Sequence, residues 1–377
     1  MGQTGQTIRS VKVVLSGYYG FDNSGDEAVL QSILLALKEQ GEKHGIHFEP
    51  TVLSIDPEKT SRTYGVKAAH RMKPGAVLGA IRGADALISG GGSLLQDATS
   101  SKTIPYYLAI LKLAQWFGKP TFIYSQGIGP VHRRFFDPWI RGTFAKCRYV
   151  SVRDIESANL LQSMGLPKDR VQVVPDPVMG LPLKEGAAAV NRESDPVVGI
   201  SVRFWNEDRS ELAALALGLN AVLARSSVKL NFLPFHLPSD DLASQYVVNA
   251  IDPKFKQRVS ISGGITHPQD MLAEVSRCDL LIGMRLHSLI YAASQCVPLV
   301  GISYDPKIDQ FLGRIGMKAA ATTQSAESES IARHILTMLE QTEAWKREKQ
   351  PAIERLKAEA QLPARHVTQF FKQSDKP

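Results

Sequence analysis

Residues 10–40 read SVKVVLSGYYGFDNSGDEAVLQSILLALKEQ. Val11–Ser16 is a short apolar, β-branched run, the pattern of a buried strand. Gly, Asn, Asp and Ser follow, and the chain then turns amphipathic over Asp26–Gln40, the pattern of a helix. A buried strand running through a glycine-rich loop into a helix is one step of a parallel α/β sheet. The step repeats. Further strands are expected at Thr51–Ile55, Ala86–Ser89, Thr121–Ser125, Tyr149–Val152 and Val171–Val174, with helices at Ile104–Phe117 and Ile155–Met164. The pattern pauses over residues 175–196, where Pro, Gly and charges dominate. It resumes with strands at Val197–Val202, Lys229–Pro234, Val259–Ile261, Leu280–Ile282 and Leu299–Ile302. The fold class read from this is α/β, two Rossmann-like domains facing a cleft. The expected boundaries are 1–178, a linker at 179–196, and 197–377, with a final helix packing back on the first domain. Residues 1–10 read as a polar leader.

The chain has 377 residues, which at about 100–200 per domain agrees with two domains. Its 44% apolar and 21% charged content excludes collagen-like, disulfide-scaffold and disordered classes. A net charge of +7 suits anionic substrates, an acidic membrane surface or nucleic acid without choosing among them. Cys147, Cys278 and Cys296 are far apart and in no metal-binding spacing, so a reducing compartment without structural zinc is expected. The first residues lack a signal-peptide pattern, and the longest nearly apolar run, Leu212–Ala224, is too short to span a bilayer. A cytoplasmic location is the corresponding expectation. No nucleic-acid-binding motif occurs, and the basic residues are spread through both halves.

In open parallel sheets ligands sit beyond the carboxyl ends of the strands, so the loops there carry the chemistry. Gly20–Gly25 has the spacing of a phosphate-binding loop, but Asp26 stands where that loop needs Lys, and Glu27 adds a second carboxylate. Two negative charges suit a helix start and repel phosphate, which excludes a nucleotide site of that kind. Asn23, Asp26 and Glu27 are candidate ligands for sugar hydroxyls; a glycine turn with an N-cap explains Asn23 and Asp26 equally well. Asp97, after the SGGGS turn, and Gln126, in SQGIGP, are further hydroxyl-ligand candidates, with a solvent-facing role as the alternative for Asp97. Arg153, Arg203 and Arg285 each follow an expected strand. Arginine forks match carboxylates and phosphates, and three such groups converging would suit a small, multiply charged anion. His287, two residues after Arg285, is a candidate general acid, His236 a second candidate, and Lys307 a further positive charge. The DxD, HExxH and GxSxG patterns are absent, which removes the usual acidic metal clamp and two hydrolase classes.

The set GYYGFDNSGDEA, SGGGSLLQD, SQGIGP, SVRD and GMRLHS, in this order from about Val11 to Gly316, resembles the polysaccharide pyruvyl transferase family. It is most similar to the bacterial cell-surface-anchoring branch that modifies secondary cell-wall polymer. The resemblance implies a fold similar to GT-B glycosyltransferases and transfer of pyruvate from phosphoenolpyruvate to a sugar as a ketal, without a metal or other cofactor. It implies Arg285 on the donor, His287 as general acid and Arg153 as a second donor ligand. Arg203 and Lys307 join the donor side on position, and Asn23, Asp26, Glu27, Asp97 and Gln126 fall on the acceptor side, with Asp26 or Glu27 as base. The acceptor implied is N-acetylmannosamine of a lipid-linked polymer precursor, at the inner face of the membrane. Residues 131–149, VHRRFFDPWIRGTFAKCRY, combine five Lys/Arg with aromatic residues. That combination suits an anionic bilayer surface, and it also suits an amphipathic helix whose aromatics are core. The other reading of the whole is a nucleotide-sugar glycosyltransferase of GT-B shape.

Overall fold

The computed structural model describes residues 9–98, 100–184, 186, 195–324 and 327–373. The chain forms two α/β units: 1–21, 26–180 and 358–377 make the first, and 22–25 with 181–357 the second. In the first unit the elements run β1 (Arg9–Tyr19), α1 (Ser24–Glu42), β2 (Ile46–Ser54), α2 (Pro57–Tyr64), β3 (Lys67–His70), α3 (Pro74–Arg82), β4 (Ala86–Gly90), α4 (Thr103–Trp116), β5 (Thr121–Gln126), α5 (Asp137–Phe144), β6 (Tyr149–Val152), α6 (Ile155–Ser163) and β7 (Gln172–Val173). In the second they run β8 (Val197–Ser201), α7 (Ser210–Arg225), β9 (Lys229–Phe232), α8 (Ser239–Asn249), β10 (Val259–Ile261), α9 (Pro268–Ser276), β11 (Leu280–Gly283), α10 (Leu286–Ser294), β12 (Leu299–Ser303), α11 (Pro306–Arg314), β13 (Ala321–Thr322), α12 (Ser328–Glu340) and α13 (Thr342–Ala360). The last helix, α14 (Leu362–Gln373), belongs to the first unit. Residues 185 and 187–194 of the expected linker at 179–196 lie outside the described residues, as do 1–8 of the polar leader.

The first sheet has the order β3-β2-β1-β4-β5-β6-β7, the second β10-β9-β8-β11-β12-β13, and every strand pair is parallel. In each sheet the order reverses once, between β1 and β4 and between β8 and β11. Right-handed crossovers then put α1 and α2 on one face of the first sheet and α3 to α6 on the other. The core agrees: Ile81 of α3, Leu108 of α4, Phe144 of α5 and Leu161 of α6 share one apolar cluster with Leu87, Ile123 and Val150 of the strands. On the opposite face Phe371 of α14 meets Phe122 at 6.5 Å and Phe48 at 6.2 Å between ring centroids. In the second unit Leu215 and Leu219 of α7, Val247 of α8 and Ile335 of α12 cover Ile200, Leu230 and Ile282.

Two strands escaped the sequence pattern. β3, Lys-Ala-Ala-His, is a sheet edge with no buried residue, and β13 is a two-residue edge, so neither carries a continuous apolar run. Pairing with a neighbour, not local propensity, makes them strands. Elsewhere the expected strands appear within a few residues, β1 extending from Val11–Ser16 to Arg9–Tyr19.

Phe371 is 4% exposed, and the Arg9 guanidinium bonds its carbonyl at 2.7 Å. Phe371→Ala is expected to cost about 3–5 kcal/mol of unfolding free energy, read by urea unfolding with unchanged native circular dichroism.

Candidate active site

The first unit gathers its polar residues where β1, β4, β5 and β6 end. The turn after β4 and the turn after β5 are laced by backbone bonds: Gly91 N–H to Tyr124 O at 2.8 Å, Gly127 N–H to Gly92 O at 2.9 Å and Gly129 N–H to Leu95 O at 2.7 Å. β5 carries a register shift before Gln126, and Ser125 stands in the left-handed region at φ 49° while fully buried. Such strain persists where the surroundings over-determine it, commonly at functional sites. Gly92, at φ 66°, leaves room for Asp26: a Cβ there would lie 2.9 Å from Oδ1 of that carboxylate. Next to it, Ser93 Oγ accepts from Arg153 Nη2 at 2.7 Å. Asp26 and Arg153 thus both reach the Gly92–Ser93 step. Arg153 is 8% exposed, and its charge is answered by Asp176 at 3.3 Å and Asp154 at 3.7 Å. Asp154 also caps α6 by accepting from Ser157 N–H at 2.7 Å.

Arg71, 7% exposed, braces the end of β1. It donates to Gly17 O at 2.8 Å and to the Tyr107 hydroxyl at 3.1 Å, within a cage of Tyr18, Phe21, Tyr106 and Tyr107 rings.

In the second unit the site lies where β8, β9, β11 and β12 end. Asp240, in the first turn of α8, has no exposed surface. Its Oδ2 accepts from Arg285 Nε at 2.9 Å and from His236 N–H at 3.0 Å, and its Oδ1 accepts from Arg285 Nη2. Arg285 is the residue before α10, and its carbonyl accepts from the buried Ser288 hydroxyl at 2.7 Å. His287 follows in the first turn of α10. It packs on Gly25: a Cβ there would collide with the imidazole at Nδ1. The 22–25 segment is held beside it by Ser24 N–H to Phe235 O at 3.0 Å and by a bridge between Asn23 and His236. Arg203 donates to the Tyr304 hydroxyl at 2.9 Å and lies 5.1 Å from the Trp205 ring, with no carboxylate partner among the described residues. Burial first, then the Arg285 guanidinium, holds the His236 imidazole below its ordinary range; Asp240 pulls the other way, and Arg203 adds to the lowering. Among the described residues no group of three His, Cys, Asp or Glu side chains is arranged to hold a metal ion.

The chain matches the family described as polysaccharide pyruvyl transferase over residues 23–306. The chain belongs to that family. AmsJ, an amylovoran biosynthesis protein of Erwinia amylovora, is 21% identical over 91% of this chain and 96% of its own length. Solved structures share the fold: UDP-GlcNAc 2-epimerase of Neisseria meningitidis (TM-score 0.59, 13% identity, 97% of this chain, 99% of that one) and a glycosyltransferase of Rickettsia africae (0.63, 10%, 97% and 98%). HepE of Anabaena in complex with UDP-glucose matches at 0.60, 13% identity, over 97% and 100%. These likenesses give two α/β units of the GT-B kind. As a polysaccharide pyruvyl transferase the chain is a transferase of polysaccharide biosynthesis.

Within this pyruvyl transferase several expected ligands have other work. Glu27 is 8% exposed, and its two oxygens accept from Gly20 N–H at 2.7 Å and the Tyr64 hydroxyl at 2.6 Å, so it ties down the loop after β1 instead of facing an acceptor. Asp97 accepts from His132 N–H and Arg133 N–H, both at 2.8 Å. Desolvation pushes its carboxyl up, and the two backbone donors together bring it below its usual range. It straps one loop to another. Gln126 has no exposed surface, and neither polar atom of its side-chain amide has a hydrogen-bond partner among the described residues. Asn23 spends its side-chain oxygen on Gly25 N–H at 3.1 Å, the turn-forming alternative. Lys307 lies 4.0 Å from Asp305 in the first turn of α11. Arg153 and Arg285 each face a buried aspartate. Sequence reasoning missed both partners. Asp176 sits in the PDP stretch read as the start of the pause between domains, and Asp240 in an unremarkable SDD run.

Asp240→Ala leaves Arg285 without its buried partner, which is expected to cost about 3–5 kcal/mol, measured by denaturant unfolding. Gly25→Ala is expected to displace the imidazole of His287 and to cost about 1–3 kcal/mol, the usual cost of overpacking a buried position; histidine NMR shifts report the displacement. His236, with its folded pKa below 6.5, binds fewer protons folded than unfolded. Its contribution to stability is therefore full above pH 6.5 and declines as pH falls from 6.5 through the folded pKa. An NMR titration should place its midpoint below 6.5, and His236→Gln should flatten that part of the stability profile.

Proposed function

We propose that the enzyme transfers pyruvate from phosphoenolpyruvate to two hydroxyls of one sugar as a 4,6-ketal, with release of phosphate. The observation that carries this is the GMRLHS segment at the end of β11, with Arg285 locked by Asp240 and His287 presented on the next turn. The sugar proposed is N-acetylmannosamine of a lipid-linked secondary cell-wall polymer precursor. That assignment rests on resemblance to the cell-surface-anchoring branch.

In this reading His287, protonated, gives its proton to the methylene carbon of phosphoenolpyruvate, and C2 becomes electrophilic. One hydroxyl attacks C2, a second closes the ring, and the C2–O bond to phosphate breaks with its electrons leaving on phosphate. The two hydroxyl protons lost balance the one gained by the new methyl group and the one carried off by phosphate. Asp26 accepts the first hydroxyl proton. The chain's donor-side cations, Arg285, Arg203, Lys307 and Arg153, oppose the carboxylate and phosphate charges of the donor. Fixed charges aimed at the leaving group need no reorganisation during the reaction, which makes them effective. Arg285 is well suited, because a fork held by two bonds along one edge to Asp240 keeps its orientation without substrate. Arg203 is suited differently: no carboxylate among the described residues competes with an incoming anion for it.

The test is phosphate release from phosphoenolpyruvate with and without a synthetic lipid-linked N-acetylmannosaminyl disaccharide, with the sugar product weighed. Acceptor-dependent release and a pyruvyl-sized mass gain are expected. His287→Ala is expected to lower kcat by roughly 10²–10⁴-fold, the usual range for a general acid. Turnover unaffected by that change removes His287 from the chemistry. Consumption of a nucleotide-sugar in place of phosphoenolpyruvate would favour the glycosyltransferase reading.

A further inference from the structure

The aromatic residues of 131–149 divide into two sets. Phe136 and Phe144, with Ile140 between them, are buried in the core beneath α5. Phe135 and Trp139 are 58% and 50% exposed, so the core accounts for only half of the stripe. The exposed half continues on the next helix. Lys112 of α4 lies 5.5 Å over the Trp139 ring, and Trp116, one turn on, is 79% exposed. Beside Trp116, the Arg82 guanidinium at the end of α3 lies 5.0 Å over the Phe117 ring. Phe135 and Trp139 stand 6.4 Å apart, which closes the patch across α3, α4 and α5.

The charge around these rings is mostly positive. The segments 74–82 and 103–116 contain no Asp or Glu. α5 contains one, Asp137, which is mostly buried and pairs with Arg134 at 2.9 Å. Arg82 and Lys112 have no carboxylate partner among the described residues, and each sits over a ring instead of an acid. Exposed Trp and Phe flanked by cations match the interfacial layer of a bilayer, where indole rings settle at headgroup depth and basic side chains meet lipid phosphate. Protein interfaces are depleted in Lys, whereas here Lys112 stands among the exposed rings without an acidic partner among the described residues.

We infer that this face of the first unit docks on an anionic lipid bilayer, with Trp116, Phe135 and Trp139 entering the headgroup layer and Arg82 and Lys112 facing lipid phosphates. The inference rests on the surface alone and stands whether or not the proposed reaction does.

The experiment is flotation of the full chain with vesicles of phosphatidylcholine containing 30% phosphatidylglycerol, as roughly the anionic content at which basic segments respond, against vesicles of phosphatidylcholine alone. Partitioning onto the anionic vesicles is expected to be at least about tenfold greater at low salt, and to fall as salt screens the charges. The Trp116→Ala/Phe135→Ala/Trp139→Ala variant is expected to lose about tenfold or more of it with unchanged circular dichroism. Arg82→Glu/Lys112→Glu should lose most of its binding at low salt. As a second readout, lipids with brominated acyl chains should quench tryptophan fluorescence of the wild type and not of Trp116→Phe/Trp139→Phe. Equal partitioning of the triple variant and wild type, or quenching that survives the double Trp change, overturns the inference. Binding to neither vesicle at low salt also overturns it and leaves the patch to a protein partner.

Discussion

Asp240 has no exposed surface, so its charge must be answered inside the protein, and Arg285 answers it with two bonds along one edge of the guanidinium. Much of the second unit's site hangs from that pair. The same carboxylate receives the His236 backbone N–H, which fixes the loop after β9. The same arginine opens α10, which sets where His287 emerges. Removing one partner of such a pair strands the other as a buried charge, and that penalty, more than the attraction itself, holds the geometry. The first unit repeats the device with Arg153 against Asp176. In both cases a cation at a strand end is aimed before any ligand arrives.

The segment 22–25 adds a constraint of a different kind. It is counted with the second unit, although the residues before and after it belong to the first. Its backbone bonds to Phe235 and His236, and its glycine leaves the space that the His287 ring takes. The stretch resembles a phosphate loop in spacing only. Its glycine serves close packing against an imidazole, and Glu27, which looked like a ligand, is consumed in holding the loop's first turn.

Of the strand-end arginines, Arg153 and Arg285 are offset by buried aspartates, while Arg203 meets no carboxylate among the described residues. Bare cations stand on the outer layer of α3 to α5, over aromatic rings. Composition alone left anionic substrates and acidic surfaces undivided. The distribution of partners separates a site that orients its cations from a surface that displays them.

The alternation of apolar runs with amphipathic stretches made both parallel sheets legible, because a buried parallel strand must be apolar on both faces. Nearly all strands and the candidate residues after them followed from that periodicity. The edges β3 and β13 did not, since an edge strand needs only one partner and carries no apolar run. Arg153, Arg203, Arg285 and His287 were readable as residues that follow strands; that Asp176 and Asp240 face two of them was not. Those pairs join positions 23 and 45 residues apart, and no local pattern marks a carboxylate that will be buried opposite a cation. The sorting of Phe136 and Phe144 inward from Phe135 and Trp139 outward likewise waited on packing. Periodicity is a property of the chain and is written along it. Charge pairing and burial belong to the folded surface, because they depend on which distant segment closes over each side chain.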